Sequence, residues 1–238
     1  MNIIKKFLDS LKYEKFRYIV PLGYNCETAF RFWRVYRFLD SSLFAWTYSY
    51  SIEDLINALN NFDSILSGEI ELPDPLYECQ NTHIRFHGKT NMKTWLNCKE
   101  YNMELVNSDK EELKQRVGYL KEKFVRILHS SDSKLFIYKV TVSDCKSDTI
   151  NINIDKLYTY FEKNTTNFKL IIVIEEKYKD KIQIKKDNLI IETVKQYSPE
   201  EDVTNKKKGD AKSWNKIYKK YRPSVLLKTK KKFKFEEV

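Results

Sequence analysis

The second half of the chain alternates short apolar runs with helical segments, and this alternation constrains the fold most. We predict strands over residues 134–142, 168–174 and 188–194, and helices over residues 154–162 and 209–221. Strands joined by helical connections pair in parallel, and helices then cover the faces of the sheet. The pattern predicts an α/β fold with a three-layer, mainly parallel sheet flanked by helices.

The first half opens with a strand, a tight turn and a helix. Residues 17–22 form an apolar run that predicts a strand, residues 23–25 predict a turn, and helical periodicity begins at Cys26. The predicted apolar side of this helix contains four positions: Ala29, Phe30, Trp33, and either Tyr36 or Arg37. Other predicted elements are a helix over residues 2–12, a helix capped by Ser51, a short strand over residues 83–86, and a long helix from an Asp109 cap to residue 128.

The positive charge of the chain is concentrated at its end. The net charge is +10, and residues 205–238 contain twelve lysines and one arginine against three acidic residues, so residues 1–204 are balanced. We predict one α/β domain over residues 1–222 and a basic tail over residues 223–238. Such a tail suits an anionic membrane surface, although a solvated, partly disordered end explains it equally well.

The cysteines indicate the compartment. All four are far apart in the sequence and form no Cys-x-x-Cys pair, and the first residues lack the apolar core of a signal peptide. We therefore expect reduced thiols and a cytoplasmic location, with the basic tail holding the protein at the inner membrane surface.

Cys26 is the candidate nucleophile because it alone among the cysteines falls at a strand-to-helix turn. Ligands of open α/β sheets bind beyond the carboxyl ends of strands. The amide groups at a helix start favour a thiolate and can hold an oxyanion. Gly23 would allow a substrate to approach the backbone, and Asn25 would add a hydrogen bond to the oxyanion. The alternative is a buried cysteine that only fills space.

A thiol nucleophile needs a base, and the chain has only three histidines. We predict that His87 is the base because it precedes Gly88 at a strand end. His83 and Arg85 would share its strand face and contact the substrate. For the orienting acid we predict Asp144, which follows the strand over residues 134–142.

Three alternatives stay open. Lys207, Trp214, Tyr218 and Tyr221 interleave charge with aromatic rings, as in proteins that bind single-stranded nucleic acids, but the neutral body does not favour a nucleic acid partner. A zinc site could be formed by two cysteines and two histidines, Cys79, His83, His87 and Cys98, although their spacing matches no common zinc finger, and we predict no metal. A glycosyl- or phosphotransferase would lack a glycine-rich phosphate loop and an Asp-x-Asp pair here.

The segment Ile19-Val-Pro-Leu-Gly-Tyr-Asn-Cys26 resembles a bacterial family described as papain-like cysteine peptidases, a domain of unknown function. The segment Leu43-Phe-Ala-Trp46 is similar to that family's Phe-Asp-Trp segment, with Ala45 in place of the acid. The stretch ending at His87 and the later Gly209-Asp-x-x-x-Trp214 also look similar. We assign Trp46 to substrate binding. The cysteine turn also resembles capsule-locus acetyltransferases, in which Cys and His flank a coenzyme A site.

The resemblance implies a Cys/His acyl-transfer enzyme, either a hydrolase or an acyltransferase. Its implied substrate is an acyl group and a bacterial surface glycan or glycan precursor. A coenzyme A thioester is one implied acyl donor, and the sequence itself predicts no cofactor.

Overall fold

The computed structural model describes residues 13–37, 41–67, 70–71, 76–88, 103–198 and 210–224. The helix predicted over residues 2–12 and nearly all of the basic tail lie outside these residues. Among the helices in these ranges, none combines the length and the apolar character that a membrane span requires.

The fold is mixed α/β, with parallel strands flanked by helices. The helices are α1 (Glu27–Tyr36), α2 (Ile52–Asn60), α3 (Met103–His129), α4 (Val142–Lys146), α5 (Ile150–Asn164) and α6 (Ala211–Lys220). The strands are β1 (Glu14–Phe16), β2 (Tyr18–Leu22), β3 (Thr47–Tyr48), β4 (Ile70–Glu71), β5 (Leu76–Cys79), β6 (Ile84–His87), β7 (Lys134–Lys139), β8 (Phe168–Glu175), β9 (Leu189–Val194) and β10 (Tyr221–Pro223).

The main sheet is parallel and has the strand order β2-β7-β8-β9. All six residues of β7 are buried, as expected for a central strand covered on both faces. Leu135 and Ile137 face a cluster that contains Trp214 of α6, whereas Phe136 and Tyr138 face a larger cluster with α2, α3 and α5. Helices therefore cover both faces, and the parallel sheet predicted from the sequence is confirmed.

A second sheet was not predicted. It is antiparallel, with the order β3-β6-β5-β4, and its buried side chains Tyr77 and Phe86 join the larger cluster beside the main sheet. A separate parallel pair, β1 with β10, connects Phe16 to Pro223. The antiparallel sheet matters for the site because β6 ends at His87.

Local sequence explains where the elements near the site begin. Ser51 caps α2: its hydroxyl accepts from the backbone amide of Asp54, and the Asp54 carboxylate accepts from the amide of Ser51 in return. This reciprocal capping box confirms the predicted start. The predicted cap at Asp109 is wrong, because α3 already begins at Met103 and Asp109 lies inside it.

The buried face of α1 also differs from the prediction. Its buried positions include Ala29, Arg31 and Phe32, whereas Phe30 and Trp33 are only partly buried. The charged Arg31 is buried because it pairs with Glu27 one turn earlier. The apolar pattern alone missed this because two charged residues occupy the interior face.

Gly23 fixes the path of the turn that follows β2. A methyl group at this position would lie 2.5 Å from the carbonyl oxygen of Phe44 and 2.7 Å from the hydroxyl of Thr47. These distances are shorter than van der Waals contact, so only glycine allows the segment around Phe44 to pack here.

We expect Gly23→Ala to lower the free energy of unfolding by about 1–3 kcal/mol, because backbone atoms must move to admit the methyl group. The matched control is Gly118→Ala in α3, where a methyl group would meet no atom within 4 Å. This control should raise stability by about 0.5–1 kcal/mol through helix propensity. Urea denaturation measures both, and equal effects would contradict the role given to Gly23.

Candidate active site

Cys26 stands between the end of β2 and the first turn of α1. It is the N-cap residue of α1, and its carbonyl accepts the helical hydrogen bond from the amide of Phe30 at 2.9 Å. The side chain of Cys26 is buried, with 8% of its surface exposed. The predicted strand, glycine turn and cysteine helix are therefore confirmed.

His87 lies at the last position of β6, and its imidazole reaches Cys26. The distance from Cys26 Sγ to His87 Nε2 is 3.3 Å. The two residues are 61 positions apart, and they come from different sheets. His87 is exposed while Cys26 is buried, so solvent reaches the pair from the histidine side. The structure thus brings together the nucleophile and base that the sequence predicted.

The backbone of the cysteine turn is held by Ser49. Its amide donates to the carbonyl of Tyr24 at 3.0 Å, and its hydroxyl donates to the carbonyl of Gly23 at 3.0 Å. Ser49 follows β3, so the antiparallel sheet that carries His87 also fixes the turn that carries Cys26. This shared support fixes the position of the Cys26 side chain relative to that of His87.

Asn25, the residue before Cys26, leaves a donor unused. Its side-chain oxygen accepts from the amide of Glu27 at 3.1 Å, which orients the amide group of the side chain. Within the described part of the chain, Asn25 Nδ2 has no hydrogen-bond partner, although the residue is only 6% exposed. A buried N–H group without a partner is costly, and a ligand oxygen would satisfy it.

The electrostatics of Cys26 differ from expectation. Burial raises the pKa of the Cys26 thiol to about 12, and the positive charge of Lys139 and a backbone hydrogen bond oppose this rise only in part. Burial therefore opposes the thiolate that the helix start was predicted to favour. The imidazole of His87 is in contact with the sulfur, and a negative sulfur forms when its proton is transferred.

The carboxylate of Glu27 is the centre of a buried polar cluster beside the cysteine. It accepts from Lys139 Nζ at 2.9 Å, from Arg31 at 3.3 Å, and from the hydroxyl and amide of Ser198 at 2.7 and 3.1 Å. Burial alone would raise the pKa of Glu27, but Lys139, Ser198 and Arg31 together lower it. Burial lowers the pKa of Lys139, and Glu27 opposes that change.

Asp144, the predicted orienting acid, is bound elsewhere. Its carboxylate accepts from the backbone amide of Ile52 at 3.1 Å, and its own amide donates to the Thr141 hydroxyl at 2.8 Å. Burial raises the pKa of Asp144, and hydrogen bonds to its carboxylate from Thr141 and from the amide of Ile52 oppose the rise. In the described ranges Asp144 makes no hydrogen bond with His87, so the structure does not bring this predicted residue to the pair.

His83 does not share the strand face of His87. It precedes β6 with a left-handed backbone (φ 54°), and its Nδ1 lies 3.3 Å from a carboxylate oxygen of Glu78. Its side chain is 57% exposed. Arg85 does share the face, since it is two residues before His87 in β6. It pairs with Glu78 at 2.7 Å and lies over the ring of Tyr50 at 4.7 Å.

Trp46 packs next to α1. Its ring meets Phe30 edge to face at a centroid distance of 4.9 Å, and its indole N–H donates to the Ser41 hydroxyl at 3.3 Å. The neighbouring Ala45 is buried, so its position holds no acid and no exposed group. Trp46 therefore packs against the helix that begins after Cys26, through Phe30.

Asp109 is a residue of the site region that sequence reasoning assigned only to a helix cap. It is 6% exposed, and its carboxylate accepts from the Tyr77 hydroxyl at 2.8 Å. A methyl group on Gly88 would lie 2.2 Å from the same carboxylate oxygen. The carboxylate thus packs on the backbone directly after His87. The signal in the sequence was the pair His87-Gly88, whose glycine admits this close approach.

A cavity of about 530 Å³ adjoins this end of β6. Its described lining comes from α3 and includes Asp109, Glu112, Leu113 and Arg116. Arg116 also donates to the backbone carbonyl of His87, which connects the cavity to the end of β6. The volume is in the range of small-molecule sites.

The described residues contain no group of three or more histidine, cysteine, aspartate or glutamate side chains placed to hold a metal ion. Cys79 is fully buried, and its sulfur accepts from the amide of Leu66 at 3.3 Å. Cys98, the fourth residue of the alternative zinc site, lies outside the described residues.

Comparisons with protein-family models, with curated proteins and with solved structures returned no match. The resemblance of the cysteine turn to the papain-like family therefore stays a prediction from the motif.

We expect Tyr77→Phe to reduce the free energy of unfolding by about 1–3 kcal/mol, because the buried Asp109 carboxylate loses a hydroxyl donor. Tyr119→Phe is the matched control, since Tyr119 is 59% exposed in the same helix as Asp109. The control should change stability by less than about 0.5 kcal/mol. A denaturant titration that gives the same small change for both variants would rule out a buried hydrogen bond.

Proposed function

We propose that this protein is a thiol-dependent acyl-transfer enzyme in which Cys26 is the nucleophile and His87 the general base. The observation that carries the proposal is the 3.3 Å contact between Cys26 Sγ and His87 Nε2. This is the distance at which an imidazole can accept the proton of a thiol as the sulfur attacks a carbonyl carbon.

In the first half of the reaction, the sulfur attacks the acyl carbonyl while its proton moves to His87 Nε2. For this step Nδ1 must carry the proton of the neutral ring. The tetrahedral oxyanion collapses, His87 returns the proton to the leaving group, and a thioester forms on Cys26. In the second half, His87 takes a proton from the acceptor hydroxyl as its oxygen attacks the thioester. The C–S bond then breaks, and His87 returns the proton to the Cys26 sulfur.

Two sets of donors support an oxyanion site. The first amides of α1 have no acceptor within the helix, although that of Glu27 already donates to the Asn25 side chain, and Asn25 Nδ2 has no partner among the described residues. Donors that are fixed before the reaction stabilise an oxyanion without reorganisation. A carbonyl carbon in contact with Cys26 would place its oxygen near these groups.

For the orienting acid we assign Asp109 in place of Asp144. Its carboxylate packs on the backbone after His87, whereas that of Asp144 is bonded to Ile52. The hydrogen bond from Tyr77 holds the carboxylate in one position. A fixed carboxylate near the base supports the imidazolium that forms during each proton transfer.

The acceptor is either water or a sugar hydroxyl, and both use the same first step. On the motif resemblance we propose a bacterial surface glycan or its precursor as the acceptor, with a coenzyme A thioester as one acyl donor. A cytoplasmic location at the inner membrane face, through the basic tail, belongs to the same proposal.

The aromatic residues on which the nucleic-acid alternative depended are buried. Trp214, Tyr218 and Tyr221 are each no more than 2% exposed, because they fill the cluster between α6 and the main sheet. Rings in the core are not available to stack on bases.

We expect p-nitrophenyl acetate to acetylate Cys26, with one acetyl group on the Cys26 peptide by mass spectrometry. Cys26→Ala should abolish this adduct, and His87→Ala should slow its formation by about 10²–10⁴-fold, the usual contribution of a general base. His83→Ala is the matched control, because His83 is exposed and bonded to Glu78, and it should react like the wild type.

The orienting residue is tested in the same assay. Asp109→Asn should lower the acetylation rate, and it should do so more than Asp144→Asn in folded protein. Release of p-nitrophenol at the wild-type rate by Cys26→Ala would reject the mechanism. A larger effect of Asp144→Asn would restore the assignment made from the sequence.

The pH profile of Cys26 alkylation should depend on His87. In the wild type, proton transfer to the imidazole allows the sulfur to react with iodoacetamide near neutral pH. In His87→Ala, the rate should keep rising into strongly alkaline solution, because the buried thiol has a pKa of about 12 and no acceptor for its proton. Identical profiles for the two proteins would show that His87 does not take the proton.

A further inference from the structure

Lys139 is a fully buried lysine at the edge of the sheet where Cys26 lies. It is 1% exposed, and its Nζ is 2.9 Å from the Glu27 carboxylate. The same nitrogen lies 4.6 Å from the ring centroids of both Tyr24 and Tyr197. A lysine is almost never buried unless it is paired, and this one is paired and also faces two aromatic rings.

The strand register places Lys139 beneath the cysteine turn. Leu22 of β2 pairs with Tyr138 of β7, and the two strands are parallel. Gly23, which follows Leu22, is therefore next to Lys139, which follows Tyr138. Glu27 follows Cys26 directly, and it reaches across this edge to Lys139. The ammonium group therefore lies under the segment that carries the nucleophile.

The buried cluster contains two cations and two carboxylates. Glu27 is paired with both Lys139 and Arg31. A second buried carboxylate, Glu175 at the end of β8, also raises the pKa of Lys139, and it is paired with the exposed Lys177 at 2.6 Å. In a region without water, a cation stabilises a nearby negative group more strongly than it does in solution.

Lys139 is not the sole partner of Glu27. The Glu27 carboxylate also accepts from Arg31 and from two groups of Ser198, so it would stay hydrogen-bonded if residue 139 were neutral. Removing one partner of a buried ion pair still lowers stability, so Lys139 contributes to the cluster that Glu27 organises. Its charge also acts on Cys26, the residue directly before Glu27.

We propose that Lys139, held by Glu27, is a positioning residue whose buried positive charge assists ionisation of the Cys26 sulfur as its proton passes to His87. This inference rests on the proposed function of the Cys26–His87 pair. The charge of Lys139 lowers the pKa of Cys26 against the larger opposite effect of burial. The titratable groups in this region, besides Cys26 and His87, are Lys139 of β7, Glu27 and Arg31 of α1, Glu175 of β8, Lys177, Tyr24 and Tyr197.

The test measures the rate of iodoacetamide alkylation of Cys26 against pH on the full chain, by mass spectrometry of the Cys26 peptide. Lys139→Met removes the charge and keeps the length of the side chain, whereas Lys139→Arg keeps the charge. We expect Lys139→Met to react about tenfold more slowly near neutral pH and to shift the profile up by about one pH unit. Lys139→Arg should stay within about threefold of the wild type.

Lys139→Gln gives a second neutral variant that still donates a hydrogen bond to Glu27, and it decides the result if Lys139→Met does not fold. Profiles that coincide for the neutral variants and Lys139→Arg would overturn the inference. Loss of folding in both neutral variants would also overturn it, since Lys139 would then be structural. His87→Ala reports separately on the proposed function, because its effect does not depend on residue 139.

Discussion

The carboxylate of Glu27 connects the parts of the molecule on which the site depends. It has no contact with water, and it binds the end of β7 through Lys139, its own helix through Arg31, and the segment after β9 through Ser198. An ionised carboxylate in the interior is tolerated only when its oxygens are fully hydrogen-bonded. The three segments must therefore meet in one arrangement, and that arrangement sets the start of α1.

The two sheets position the side chains of Cys26 and His87. The parallel sheet presents Cys26 beyond the end of β2, and the antiparallel sheet presents His87 at the end of β6. Each approach depends on a glycine, because a methyl group on Gly23 or on Gly88 would collide with the neighbouring segment. The contact between sulfur and imidazole is thus a product of tertiary packing, and neither local sequence could form it alone.

Much of the parallel sheet could be predicted because its strands are apolar on both faces and its helices carry clear periodicity. The position of Cys26 followed from the same pattern, and His87 followed from its place before a glycine. The antiparallel sheet escaped prediction because strands as short as β3, with two residues, leave almost no pattern. The roles of Asp109 and of the Glu27 cluster depend on contacts between residues that are far apart in the sequence. The sequence of one chain does not reveal such contacts.

The burial of Cys26 also affects how readily its sulfur is oxidised. Peroxides oxidise thiolates to sulfenic acid much faster than they oxidise thiols. In the proposed mechanism, a sulfur that keeps its proton until a carbonyl carbon arrives is shielded from this damage between turnovers. The burial that weakens the proposed nucleophile therefore also slows its oxidation.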